Sequence, residues 1–183
     1  MVMMLLVALR GNIIVWQGEE LGMTQVDIAF EDLQDPEAIA NWPLTLSRDG
    51  ARTPLPWVAD APYCGFSTAK PWLPLGADHA ALAVDAQEAD PQSLLQLTRR
   101  LIALRQAHPA LKTGGLKVLV ASEDLLVFTR TDGADRLLCV FNMGGVQRHW
   151  QPEAGDWTIL AEVNGASLGT LPPFGALIAS CLA

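Results

Sequence analysis

The sequence predicts an α/β segment followed by an antiparallel β domain. Three observations carry this. The first twenty residues read as helix, turn and short buried strand, which is half of a βα repeat. After a long proline-rich stretch, residues 90–108 carry one amphipathic helix with start and stop signals at its ends. From residue 116 onward, short β-rich runs recur at even spacing with turns between them, the pattern of a small sandwich.

Met1–Leu9 is an apolar run ended by Arg10-Gly11. It is too short to span a bilayer and has no basic leader, so it reads as the end of a buried helix. Gly11-Asn12 is a stop and turn. Ile13–Trp16 is continuous, apolar and β-branched, consistent with a parallel strand buried on both faces. One such half-repeat cannot bury its own faces, so further sequence is expected to precede it. Gln17-Gly18-Glu19-Glu20 follows at the strand's C-terminal end. The two glutamates point in different directions if the chain stays extended, so they read as supports of the loop rather than an acid/base pair.

Residues 21–81 carry little regular structure, because Pro54, Pro56, Pro62, Pro71 and Pro74 keep removing backbone donors. A short helix over Gln34–Ala40 is expected, opened by Asp35-Pro36-Glu37. Trp42, Trp57, Tyr63, Phe66 and Trp72 either line a sugar site or pin the loop to its support. The clearest helix follows, with Asp90 as N-cap and Pro91 in the first turn. Leu94, Leu97, Leu101 and Leu104 form its apolar face, and Arg99, Arg100 and Arg105 lie on the other side. His108-Pro109 stops it. Strands are expected at 116–120, 125–130, 136–141, 146–150, 157–163 and 175–182, with Thr131-Asp132-Gly133 as one of the turns.

Half of the 183 residues are hydrophobic and 17% are charged, which excludes disorder. The net charge of −8 and the absence of a basic stripe argue against a nucleic-acid partner. No membrane partner is expected either. Cys64, Cys139 and Cys181 have no metal-ligand spacing, and His79, His108 and His149 are scattered, so no metal or cofactor is expected. A reducing cytoplasm is the simplest setting for three such cysteines.

The functional centre is Ser47-Arg48-Asp49-Gly50-Ala51-Arg52-Thr53-Pro54-Leu55-Pro56-Trp57. Gly50 and the two prolines exclude a regular element. Arginine offers a planar fork of donors that suits vicinal hydroxyls or a carboxylate, and tryptophan offers a face for a sugar ring. On residue types alone, a structural loop whose arginines pair with nearby acids is the commoner case.

Arg-Asp-x-Ala-Arg-Thr-Pro-x-x-Trp, as it stands at Arg48–Trp57, resembles a hallmark of the α-glucosidase and oligo-1,6-glucosidase branch of glycoside hydrolase family 13, the α-amylase superfamily. Gly11–Gly22, with Trp16-Gln17-Gly18-Glu19-Glu20, resembles that family's strand-eight motif, where Tyr usually stands at the place of Trp16. Ala86–Leu95, running on to His108-Pro109-Ala110-Leu111, resembles its last barrel helix. Ala61–Ser67 and Lys70–Pro74 are similar to the family as well.

The resemblance implies that residues 1–111 form the last βα part of a (β/α)8 barrel and residues 112–183 an antiparallel β-sandwich C-terminal domain. It implies a retaining enzyme that hydrolyses short α-glucosides or transfers their glucose. Arg52 would reach the aglycone side of the pocket; Arg48 is the second substrate-binding candidate, or else holds Asp49 and the loop. The family's catalytic carboxylates follow earlier strands, so this chain is expected to be the last third of such an enzyme and inactive alone. It would then self-associate or pair with the preceding part. A sugar-binding or structural module, or half of a split enzyme, are the alternatives.

Overall fold

A computed structural model of the chain describes every residue except Leu46, Ala154, Leu182 and Ala183. It divides into two compact units, Met1–Ile14 with Thr98–Ala183, and Val15–Leu97.

The first unit is built on one five-stranded antiparallel sheet. Its strands are β1 (Gly115–Ala121), β2 (Leu125–Asp132), β3 (Asp135–Asn142), β4 (Trp157–Val163) and β5 (Ala176–Cys181), in the order β1-β2-β3-β5-β4. Gly133, at a φ of 58°, opens the two-residue loop that sets Asp132 opposite Asp135. That register fixes which side chains share a face. Phe128, Cys139 and Ile178 lie in one row, and Arg130 and Leu137 in the next. Phe128 and Phe141 stack on this face with ring centroids 5.8 Å apart. The short helix α5 (Pro109–Lys112) packs against β2 and β3. On the opposite face Val127, Leu138, Val140, Leu177 and Ala179 form a second core with Ala166 and Leu171.

The β domain expected here is present as this one antiparallel sheet, and no second sheet occurs among the described residues. The expected strand at 146–150 is a single bridge, Arg148 to Leu171. Gly144-Gly145 before it and Pro172-Pro173 beside its partner deny it a longer ladder. Side-chain bonds replace the ladder: buried Asn142 donates from Nδ2 to the carbonyls of Val146, Leu171 and Pro172 at 2.8, 3.0 and 2.8 Å. The last residue of the expected strand 175–182, Leu182, lies outside the described residues.

Helix α1 (Val2–Ala8) buries Met3, Met4, Val7 and Ala8, as its composition predicts, but Val2 and Leu9 are exposed. Two arginines hold its C-terminal end. Arg105 donates to the carbonyls of Val7, Leu9 and Gly11. Arg130, buried completely, donates from Nη1 to Ala8 O at 2.6 Å and from Nη2 to Gly114 O at 3.0 Å. Carbonyls at a helix end have no intrahelical donor and carry partial negative charge, so cations suit them. Residues 12–16 form no regular element and pair with no strand among the described residues, and Ile14 is 83% exposed. The burial expected of that stretch is not found, because no described strand lies beside it.

The second unit is irregular over most of its length, as its prolines predict. It contains α2 (Pro36–Ala40), capped by Asp35 as expected, and α3 (Val84–Ala89). Two small cores support it, one of Ile28, Leu33, Ala38 and Leu73, the other of Leu21, Leu55 and Leu95. The helix expected from Asp90 begins later, and α3 is a separate helix that ends before Asp90. α4 (Leu94–Ala107) starts four residues later, with Ser93 Oγ accepting from Gln96 N at 3.2 Å. Asp90 instead shapes the turn before it by accepting from Gln92 N. The break is locked by buried Gln87, which donates to Leu21 O and Leu82 O and accepts from Leu95 N at 3.0 Å.

Candidate substrate loop

The Ser47–Trp57 loop is held by its acids, not by its arginines alone. Ser47 Oγ accepts from Asp49 N at 3.0 Å and starts a short 3-10 turn over Arg48–Ala51. The turn places the Asp49 side chain inward. One of its carboxylate oxygens accepts from the backbone N–H of both Gln34 and Asp35 at 2.7 Å. Asp35, also buried, caps α2 and receives Arg48 twice, from Nε at 2.9 Å and from Nη2 at 2.5 Å. The Arg48 hydrogen bonds hold the Asp35 carboxyl well below the usual carboxylate range, and raise Arg48 in return.

Gly50 is required by close packing. Its carbonyl accepts from Val26 N at 3.0 Å, and a Cβ on Gly50 would stand 2.3 Å from Val26 O. On the next residue, Ala51 O accepts the indole N–H of Trp16 at 2.9 Å. Trp16, at the place where the resemblance puts Tyr, therefore ties the motif at 16–20 to the loop with its own donor. Glu19 accepts from Trp16 N at 2.9 Å and Glu20 from Gly18 N at 2.8 Å. Both carboxylates serve their own turn, in line with the supporting role expected of them.

These bonds leave a hollow of about 240 Å³ lined by Trp16, Gln17, Glu19, Gln25, Ala51 and Thr53. Thr53 is buried, and its hydroxyl has no hydrogen-bond partner among the described residues. Arg52, between two lining residues, is exposed and makes no ion pair or side-chain hydrogen bond among the described residues. The loop thus uses Arg48 internally, with Asp35 rather than Asp49 as its carboxylate, and presents Arg52 with a free fork of donors.

Of the three histidines, two have structural partners among the described residues. His108 caps α5 and lies 2.8 Å from Asp135 Oδ1. His149 contacts Gln147 and Gly169 O. His79 is buried with both ring nitrogens unpartnered among the described residues, and burial pushes its pKa down. No cluster of His, Cys, Asp or Glu that could hold a metal occurs among the described residues. Sequence reasoning missed the Trp16–Ala51 tie and the Asp35 partner of Arg48. The second had a signal, since a helix-capping aspartate thirteen residues before an arginine is a ready carboxylate.

The profile of the family described as "Alpha amylase, catalytic domain" matches residues 1–114. The chain belongs to the α-amylase family. Among curated relatives, a "Probable alpha-glucosidase" of Rhizobium meliloti is 45% identical over 139 residues, which is 76% of this chain and 25% of that protein. A "Probable oligo-1,6-glucosidase 2" of Bacillus subtilis is 30% identical, covering 78% and 29%. The solved structure of the α-glucosyl transfer enzyme XgtA superposes with a TM-score of 0.88 at 39% identity, covering 98% of this chain and 35% of that one. The trehalulose synthase MutB, as a mutant in complex with Tris, gives 0.83 at 27%, covering 98% and 37%. This α-amylase-family chain is α-glucosidase-like and spans about a quarter to a third of the length of the proteins it matches. Among its described residues, no helix is long and apolar enough to cross a membrane.

Proposed function

We propose that this chain is the C-terminal part of a retaining α-glucosidase acting on short, maltose-like or isomaltose-like α-glucosides by hydrolysis or glucosyl transfer. Residues 1–111 complete a (β/α)8 barrel, with Ile13–Trp16 as its last strand, and residues 112–183 form the C-terminal β domain. The likeness to α-glucosidases and glucosyl-transfer enzymes supports this reading. So does the stretch at 12–16, which has the length of a strand, pairs with no strand among the described residues and exposes Ile14 and Trp16.

Retention needs two carboxyl groups about 5 Å apart on the two sides of the glycosidic bond. In this reading they come from earlier barrel strands, and the present chain binds and shapes. Arg52 donates to substrate hydroxyls beyond the scissile bond. Arg48 is a positioning residue: through Asp35 it fixes the turn that presents Arg52. The free state of Arg52, beside the hollow and next to an Arg48 bound twice by Asp35, is the observation that carries this division of roles. Cys64 and Cys139 are buried and in no disulfide among the described residues, and a reducing cytoplasm is the setting this reading assigns.

A chimera tests the proposal. Residues 1–183 replace the corresponding segment of the Rhizobium meliloti relative, and hydrolysis of maltose and isomaltose is measured. An active chimera supports the reading. A chimera that folds cooperatively and hydrolyses neither sugar contradicts it.

A further inference from the structure

The sheet carries a second hollow that the substrate loop does not use. Antiparallel register builds it. Lys117, Thr129 and Leu138 are directly paired across β1, β2 and β3, so their side chains share one face. Thr131 pairs with Arg136, one step along, and puts Arg136 on that same face. From β4, Trp157 stands beside Arg136, whose guanidinium lies 5.4 Å from the indole centroid. The loop that covers the rest of this face stops short here, and brings in Trp150 and Gln151. The enclosed volume is about 350 Å³, within the range of small-molecule sites.

The lining is amphipathic. Trp150 and Trp157 pack against the core on one side and border the hollow on the other. Thr129 is only 7% exposed, and its hydroxyl makes no hydrogen bond among the described residues. Lys117 and Gln151 are exposed and likewise without a hydrogen bond or ion pair among the described residues. Two cations and the carboxylate of Glu153 border the same space, so it presents donors and acceptors of both signs instead of one strong charge. A neutral polyol with an apolar ring face matches this surface: the indole faces meet carbon-bound hydrogens while Lys117, Thr129 and Gln151 reach hydroxyls. An anion would meet Glu153, and a purely apolar ligand would leave the buried Thr129 hydroxyl unpaired.

We propose that this hollow is a binding site for a short neutral oligosaccharide, separate from the Arg52 loop. A shallow site of this kind implies a dissociation constant in the millimolar range. The test uses the 183-residue chain titrated with maltotriose to about 50 mM and followed by the indole N–H signals in an NMR spectrum. Saturable shifts of the Trp150 and Trp157 indole signals are expected. The double variant Lys117→Ala/Gln151→Ala should weaken binding at least about fivefold while melting like the parent, since both side chains are exposed. Arg136→Ala should weaken it as well. The proposal is overturned if no saturable shift occurs, or if the double variant binds as the parent does. It is equally overturned if Arg52→Ala abolishes the response, which would put the sugar on the loop, or if sodium sulfate saturates the site below the maltotriose concentration, which would make it an anion site. The outcome is independent of the chimera: an inactive chimera with an intact maltotriose site removes only the glucosidase reading.

Discussion

Arg48 and Asp35, thirteen residues apart, form a two-point pair in which the guanidinium remains largely exposed and the carboxylate is buried. This pair joins the cap of α2 to the turn that carries Arg52. Because Arg48 holds Asp35 ionised, Asp35 contributes stability that is fully present above the ordinary aspartate value of 3.8. That contribution fades as the pH falls below 3.8 toward the depressed value of the folded state. Asp35→Asn should therefore melt at least about 5 °C below the parent near neutral pH, and the gap should narrow below about pH 3.8. Melting curves taken from about pH 7 down to pH 3 check this. A gap that is constant over that range removes the charged pair as the cause.

Gly50, the one glycine of the Ser47–Trp57 loop, is predicted to resist replacement. Gly50→Ala drives a Cβ into Val26 O, a backbone atom that cannot turn aside, and should cost about 2 kcal/mol. Gly115→Ala is the control. Its nearest atom would be Thr131 O at 3.9 Å, an ordinary contact, so the change should stay within about 0.5 kcal/mol. Urea unfolding of the two variants separates steric conflict from a general dislike of alanine.

Arg130 is predicted to be structural. Arg130→Met keeps an apolar stem of similar length but leaves the carbonyls of Ala8 and Gly114 without their donor. Buried acceptors left unpaired should lower the unfolding free energy by about 3 kcal/mol in total. A variant within about 0.5 kcal/mol of the parent would show that water replaces the guanidinium. Cys139, on the same sheet face, is expected to resist alkylation in the folded chain, because burial pushes its thiol up to about 12.

Much of this architecture was legible because it is local. The cap at Asp35, the turn at Gly133 and five of the six expected strands follow from residue types a few positions apart. The sixth, 146–150, is reduced to one bridge because Pro172 and Pro173, which follow its partner Leu171, have no backbone N–H to extend a ladder. The break before α4 was hidden in a side chain: Gln87 reads as an ordinary helical residue, and only folding shows it spanning Leu21, Leu82 and Leu95. The same holds for the loop. Its motif named two arginines as candidates, and the sequence could not rank them by geometry. What the sequence did not show is the Asp35 partner of Arg48, set beside it while Asp49 holds the Gln34 and Asp35 backbone.

The most direct measurement is kcat/KM of the chimeric glucosidase with Arg52 and with Arg52→Ala, on maltose, beside the melting temperature of each. Arg52 has no structural partner among the described residues, so the melting temperatures should agree within about 2 °C. A lost substrate contact should cost more than about 1 kcal/mol, a fall in kcat/KM of about fivefold or more. If kcat/KM stays within about twofold while the chimera is active, Arg52 does not touch the substrate, and the role assigned to the loop is wrong.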